Sequence, residues 1–129
     1  MQPQIALVTI LTDDVPTLVA FYRDVLGFQP REEADDYTEF TTIGGRFAVC
    51  TRAVMKAATG HQSYDEARHG QSFELAFPCN TPDDVDATFA AIVTRGATPI
   101  QPPATMPWGH RTAFFADPDG NIHELFAAP

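Results

Sequence analysis

Glu124 is the residue in this sequence whose type and position most constrain its chemistry. It sits between Ile122 and Phe126 in the run Asn121–Phe126, and because side chains alternate along a strand, the three share one face. A carboxylate in an apolar row must be paired, protonated or coordinating something. Two other charged residues could answer it. Glu74 falls in the apolar run Phe73–Phe77, and Arg111 opens the run Arg111–Ala116. If Ala116 pairs with Asn121 across the intervening turn, Ala113 opposes Glu124 and Arg111 faces the same side. A guanidinium there satisfies Glu124 or Glu74 through a forked, charge-assisted contact. A buried ion pair is the expectation; the alternative is that the two carboxylates, with water, hold a divalent cation.

Other chemistries find less support. Cys50 and Cys79 each lie in an apolar stretch with no base placed beside them, so nucleophilic catalysis has no carrier. They read as free core thiols of a reducing cytoplasm rather than as a disulfide. His61 and His69 lie among Gln62, Asp65, Glu66 and Arg68, too far apart for a helical ligand pair, and read as solvated loop residues. His110 stands beside Trp108, where it either packs or touches a ligand. His123 alternates with Glu124, points to the other face and reads as a hydrogen-bonded partner there. The glycines form no phosphate loop.

These side chains need elements to position them, and the chain supplies the same set twice. Ile5–Leu11 is rich in β-branched and aliphatic residues and reads as a strand. Asp13-Asp14 then offers an N-cap, Pro16 fits the first helical turn, and Val15, Leu18, Val19, Tyr22, Val25 and Leu26 recur at helical spacing. Gly27 is the stop. Strands follow at Gln29–Glu33, Tyr37–Ile43 and Arg46–Thr51, the last two joined at Gly44-Gly45. The second half repeats the order. Phe73–Phe77 is a strand, and Thr81-Pro82-Asp83-Asp84 caps a helix carrying Val85, Phe89, Ile92 and Val93 to Gly96. Strands at Thr98–Gln101, Arg111–Ala116 and Asn121–Phe126 complete it. Asp117-Pro118-Asp119-Gly120 turns the final hairpin. Between the halves, residues 53–70 show no clean periodicity and read as a long loop, which in a compact domain is usually functional or mobile.

Composition bounds the remaining classes. At 129 residues and 44% hydrophobic, the chain is one domain's worth and can bury a real core. Its formal net charge of −9 argues against nucleic acid, whose binders present basic patches, and favours neutral or cationic small partners. Met1-Gln2-Pro3-Gln4 lacks a basic and then apolar leader. No apolar run approaches the roughly 20 residues of a membrane helix. The expected setting is cytoplasmic, with no membrane partner.

The Trp108–Phe126 stretch, together with Phe21-Tyr22-Arg23-Asp24-Val25-Leu26-Gly27-Phe28, resembles the vicinal oxygen chelate superfamily of glyoxalases, bleomycin-resistance proteins and extradiol dioxygenases. The resemblance implies an α+β fold of paired βαβββ modules forming a cup-shaped mixed sheet, here residues 1–52 and 71–129 around the 53–70 loop. It also implies a homodimer, since members commonly pair to complete or cap their cups. The family's first metal ligand, usually His, falls at Leu7. Aligning Gly45 with Gly120 puts Val49 opposite Glu124 in the repeat, and Glu74 falls where metal-binding members carry His or Gln. The four positions then read Leu7, Val49, Glu74 and Glu124, and half of them cannot coordinate. Phe40, Phe47, Phe115 and Phe126 fall on the inferred cup face, with Trp108 at its edge; the alternative is that these rings fill a collapsed core or a dimer interface. With Arg111 they complete the expected lining of a pocket for an organic molecule. The expected function is therefore binding of a small organic, aromatic or cationic molecule without a cofactor, as in drug sequestration. A metal-dependent lyase or dioxygenase using a divalent metal is the alternative.

Overall fold

A computed structural model describes residues 1–66 and 68–129 as two compact units, Met1–Arg68 and His69–Pro129. In the first, strands β1 (Leu7–Thr12), β2 (Gln29–Glu33), β3 (Tyr37–Thr41) and β4 (Arg46–Thr51) form a sheet of order β1-β4-β3-β2. Helix α1 (Val15–Ala20) is capped by the Asp14 side chain, which accepts from the Thr17 amide, as Asp and Thr at that spacing predict. It continues as a π-helical turn, Phe21–Val25, instead of remaining α-helical to Leu26. Gly27 then takes φ of +86°, a conformation that other residues resist, and ends the helix.

The first core forms where α1 and its π-turn cover one face of this sheet. Tyr22, Phe28, Phe40 and Phe47 pack ring on ring there, with Phe40 and Phe47 stacked at 5.3 Å and Tyr22 edge-on to Phe47 at 5.0 Å. Tyr22, Phe40 and Val49 are all but fully buried. Phe40, Phe47 and Val49 therefore belong to the helix-packed core, contrary to their expected placement in a ligand pocket. Their strand neighbours Tyr37, Glu39, Arg46 and Ala48 point to the face opposite α1.

Residues 53–70 are not a structureless loop. Helix α2 (Arg52–Thr59) runs from the Thr51 cap to Gly60, and a 3₁₀ turn follows at Gln62–Asp65. Lys56 pairs with Asp65 across that connection. The helix is only eight residues long and none of them is buried, so its amphipathic pattern spans about two turns and does not stand out in the sequence.

In the second unit, β5 (Ala76–Pro78), β6 (Thr98–Thr105), β7 (Arg111–Ala116) and β8 (Ile122–Ala127) form a sheet of order β5-β8-β7-β6, with α3 (Pro82–Arg95) against one face. Thr81 and Asp84 make the reciprocal capping box that their spacing predicts. β5 is shorter than expected, and Glu74 lies just ahead of it. Each unit thus runs strand, helix, three strands, and the fold is α+β with two four-stranded mixed sheets.

The β7–β8 register differs by one residue from the expected one: Ala116 pairs with Ile122 and Phe114 with Glu124. The Asp117 side chain accounts for the extra loop residue. Its Oδ1 accepts from the amides of Asp119 and Asn121 at 3.0 and 2.9 Å, and its Oδ2 from the Asn121 side-chain amide at 2.7 Å. Gln71 braces the same turn, donating to the Gly120 carbonyl and accepting from the Ile122 amide. A one-residue slip moves each side chain to the other face. Arg111, Ala113 and Phe115 consequently share the α3 side with His123 and Leu125, while Phe114 and Thr112 share the other with Glu124 and Phe126. Among the described residues no helix is long and apolar enough to cross a membrane.

Candidate functional site

Strand β8 alternates cleanly: His123, Leu125 and Ala127 are buried against α3, while Ile122, Glu124 and Phe126 are half-buried on the opposite face. The expected company of Glu124 with Ile122 and Phe126 is what the strand provides. Glu74 stands close enough for its charge to act on the Glu124 carboxyl. Burial comes first, then the neighbouring Glu74 carboxyl, in raising the Glu124 carboxyl above its ordinary value; the nearby His110 pulls the other way. His110 packs edge-on against Phe126, ring centroids 6.4 Å apart. On the same face, Thr112 is buried and its Oγ1 has no hydrogen-bond partner among the described residues. Two carboxyls, an imidazole, an aromatic ring and an orphan hydroxyl thus gather on one sheet face.

Arg111 is not among them. Its Nε and Nη2 grip the Asp86 carboxylate of α3 at 2.8 and 2.9 Å, and its Nη1 donates to Thr105. The register slip explains this, since Arg111 faces the helix. The expected ion pair with Glu124 or Glu74 does not form. A double-mutant cycle of Arg111→Met with Glu124→Gln, followed by urea unfolding, should give a coupling indistinguishable from zero. Arg111→Met with Asp86→Asn should give a measurable one.

Phe115 is also withdrawn from the candidate site. It is fully buried and packs with Phe77 and His123 on the α3 side. His123 sits there as the sequence suggests, its Nδ1 accepting from the Leu75 amide at 3.1 Å and its Nε2 facing Asp117. Trp108, 66% exposed, stands in the turn between β6 and β7. Leu7 lies at the start of β1, its side chain partly exposed. Both cysteines are free, and burial raises both thiols above the ordinary value. His61 and His69 are exposed.

The equivalence of the two modules also needs one correction. Gly44, with φ of +102°, rather than Gly45, matches the left-handed Gly120. Counting four residues on from each turn makes Ala48, not Val49, the counterpart of Glu124, and strand parity agrees because Ala48 pairs with Glu39 on the face opposite α1. The four positions become Leu7, Ala48, Glu74 and Glu124. Neither Leu nor Ala offers a donor atom, and no group of three or more His, Cys, Asp or Glu among the described residues is arranged to hold a metal. Two carboxyls alone fall short of the three or four ligands a catalytic transition-metal centre requires. The donor set does not fit the family's metal.

A stability test follows from the carboxyl pair. Because folding raises the Glu124 pKa, the fold favours the protonated form. That contribution is complete below the ordinary value of 4.5 and is lost as pH rises through the folded value. Glu124→Gln imitates the protonated form. It should match or exceed the parent's melting temperature at pH 7, and lose that advantage below pH 4.5.

A second polar cluster escaped the sequence reading. On the face of the first sheet opposite α1, the Glu39 carboxylate accepts from Arg46 Nη2 at 2.6 Å and Nε at 3.1 Å, from Arg31 Nη1 at 3.1 Å and from the Tyr37 hydroxyl at 3.2 Å. Arg46 leads the causes that hold this carboxyl below its ordinary value. Period-two alternation through Tyr37-Thr38-Glu39-Phe40 carried the signal: Tyr37 and Glu39 must face away from Phe40.

Comparison with known proteins gives a consistent picture. The sequence model of the Glyoxalase/Bleomycin resistance protein/Dioxygenase superfamily matches residues 4–125. The uncharacterized protein YraH of Bacillus subtilis (strain 168) is 28% identical over 123 residues, 92% of this chain and 94% of the relative. A glyoxalase/bleomycin resistance protein/dioxygenase from Nocardioides superposes with a TM-score of 0.87 at 26% identity, over 99% of this chain and 85% of that one. A family enzyme from Burkholderia phytofirmans PsJN reaches the same TM-score at 23% identity, over 97% and 98% of the two chains, and supports the fold alone.

Proposed function

This chain belongs to the glyoxalase/bleomycin resistance protein/dioxygenase superfamily, and within it we propose that it binds a small aromatic, cationic organic molecule without a metal. The observation that carries this reading is the Glu74–Glu124 carboxyl pair beside Phe126 and His110, in a chain whose other two ligand-equivalent positions are Leu7 and Ala48. Like charges so close resist joint ionisation. A guest cation relieves that repulsion. The Phe126 ring supplies a π face for the guest's cation or aromatic group. Such a site needs no bond-making chemistry; affinity comes from apolar burial and one desolvated charge pair, as in relatives that sequester drugs. The protein works in this reading as a cytoplasmic homodimer.

A thermal-shift titration of chelator-treated protein with benzyltrimethylammonium, and with benzyl alcohol as the neutral control, tests the reading. A ligand at one hundred times its dissociation constant adds about 2.7 kcal/mol, readily seen as a higher melting temperature. The cation should raise it and the alcohol should not. Equal shifts from both, or none from either until a divalent metal is added, would refute the proposal.

A further inference from the structure

The polar cluster on the first sheet carries more cation than its buried carboxylate requires. Glu39 is 8% exposed and so needs a counter-charge. Arg46 alone meets that need through two contacts, with the Tyr37 hydroxyl as a third donor. A second guanidinium is nevertheless delivered by an irregularity in the backbone. The β2–β3 register shifts between Pro30 and Glu32, and the residue at that bulge is Arg31. Bulges re-aim side chains and recur beside functional sites. Here the bulge turns Arg31 onto Glu39 from the opposite side to Arg46.

The outcome is a groove of about 270 Å³ lined by Arg31, Glu32, Tyr37, Glu39 and Arg46. The Glu39 oxygens are already engaged by these donors, whereas Arg31 and Arg46, 61% and 58% exposed in their side chains, line the groove and keep N–H groups that Glu39 does not use. Glu39 thus holds two guanidinium planes in place while consuming only part of their donor capacity. Two preset forks suit a planar, bidentate oxyanion. The fifth lining residue narrows the choice. Glu32 pairs across the strands with Glu39 and has no ion pair among the described residues; its charge penalises a doubly charged ligand more than a singly charged one.

We propose that Arg31 and Arg46, held by Glu39, form a binding site for the carboxylate of a small organic acid. The site lies wholly within the first unit and does not depend on the Glu124 reading. Its volume, just under the range of drug-sized pockets, fits a small acid. Tyr37, whose phenol is raised above its ordinary value by burial and then by its bond to Glu39, remains a neutral donor at the groove floor.

The test is a ¹H–¹⁵N titration of the full chain with benzoate and, separately, with inorganic phosphate, following the Arg31 and Arg46 Nε–Hε signals. Benzoate should give saturable shifts at both arginines and bind more tightly than phosphate. Arg31→Gln, at an exposed position on an edge strand, should weaken benzoate at least tenfold while leaving the remaining spectrum in place. Glu32→Gln should improve phosphate more than benzoate. Overturning results are an absence of saturable shifts, phosphate binding equal to or tighter than benzoate in the parent, or benzoate affinity unchanged in Arg31→Gln. Should Glu32→Gln leave the phosphate-to-benzoate ratio unaltered, the selectivity argument falls, and with it the assignment to a carboxylate.

Discussion

Phe40→Ala should destabilise the fold by about 3–5 kcal/mol, the range for deleting a buried phenyl ring from a packed core. Phe40 is 1% exposed and contacts the rings of Tyr22, Phe28 and Phe47. Truncation removes the apolar transfer energy and leaves a cavity that three other aromatic rings, already interlocked, fill only in part. Urea unfolding should show a lower midpoint at an unchanged slope, the signature of lost stability without a changed denatured state. The folded fraction should keep its affinity for the Glu124-face guest. A loss under 1 kcal/mol joined to weakened guest binding would return Phe40 to a ligand-lining role.

Asp117→Ala should be comparably severe, for a different reason. The carboxylate is 2% exposed and serves three donors: the Asp119 amide, the Asn121 amide and the Asn121 side chain. Each buried donor left without a partner costs about 1–3 kcal/mol, so a total of about 3 kcal/mol or more is expected. The damage should spread along the β7–β8 hairpin, because this side chain sets the loop length that fixes its register. Hydrogen exchange at Asn121 and Ile122 should accelerate ahead of exchange in the first sheet. Asp117→Asn, which keeps an acceptor oxygen for the backbone amides, should lose less. If Asp117→Ala behaves as a surface change, within about 0.5 kcal/mol of the parent, the turn does not control the register.

The same Asp117 shows where sequence reasoning reached and where it stopped. Local signals were legible: the Asp14 cap, the Thr81–Asp84 capping box, the Gly27 and Gly96 stops and the alternation that sets Glu124 with Ile122 and Phe126. Each depends on residues within a few positions of one another. Strand parity across a pair is different, because it depends on the loop. The aspartate–proline turn accommodates one residue more than a minimal hairpin, and that residue alone sent Arg111 and Phe115 to the helix side. In the first unit the difficulty was of another kind. Alternation groups Phe40 with Thr38 and Tyr37 with Glu39, yet it does not say which group lies under α1. The aromatic cluster decides that, since Phe40 and Phe47 complete a ring-packed core with Tyr22 and Phe28 that only long-range packing reveals. The half of the candidate site that lies on β8 was therefore readable, while the Arg31–Glu39–Arg46 cluster required both the bulge and the parity.

The central claim is that the Glu124 face recognises an organic cation with its own carboxyls and without a metal. Isothermal titration of chelator-treated protein with benzyltrimethylammonium, in parallel for the parent, Glu124→Gln and Arg111→Met, addresses it most directly. The account predicts saturable binding to the parent and to Arg111→Met, at least tenfold weaker binding to Glu124→Gln, and no gain when zinc, nickel or manganese is restored. Binding that appears only after metal addition, or that Glu124→Gln leaves intact, would contradict it.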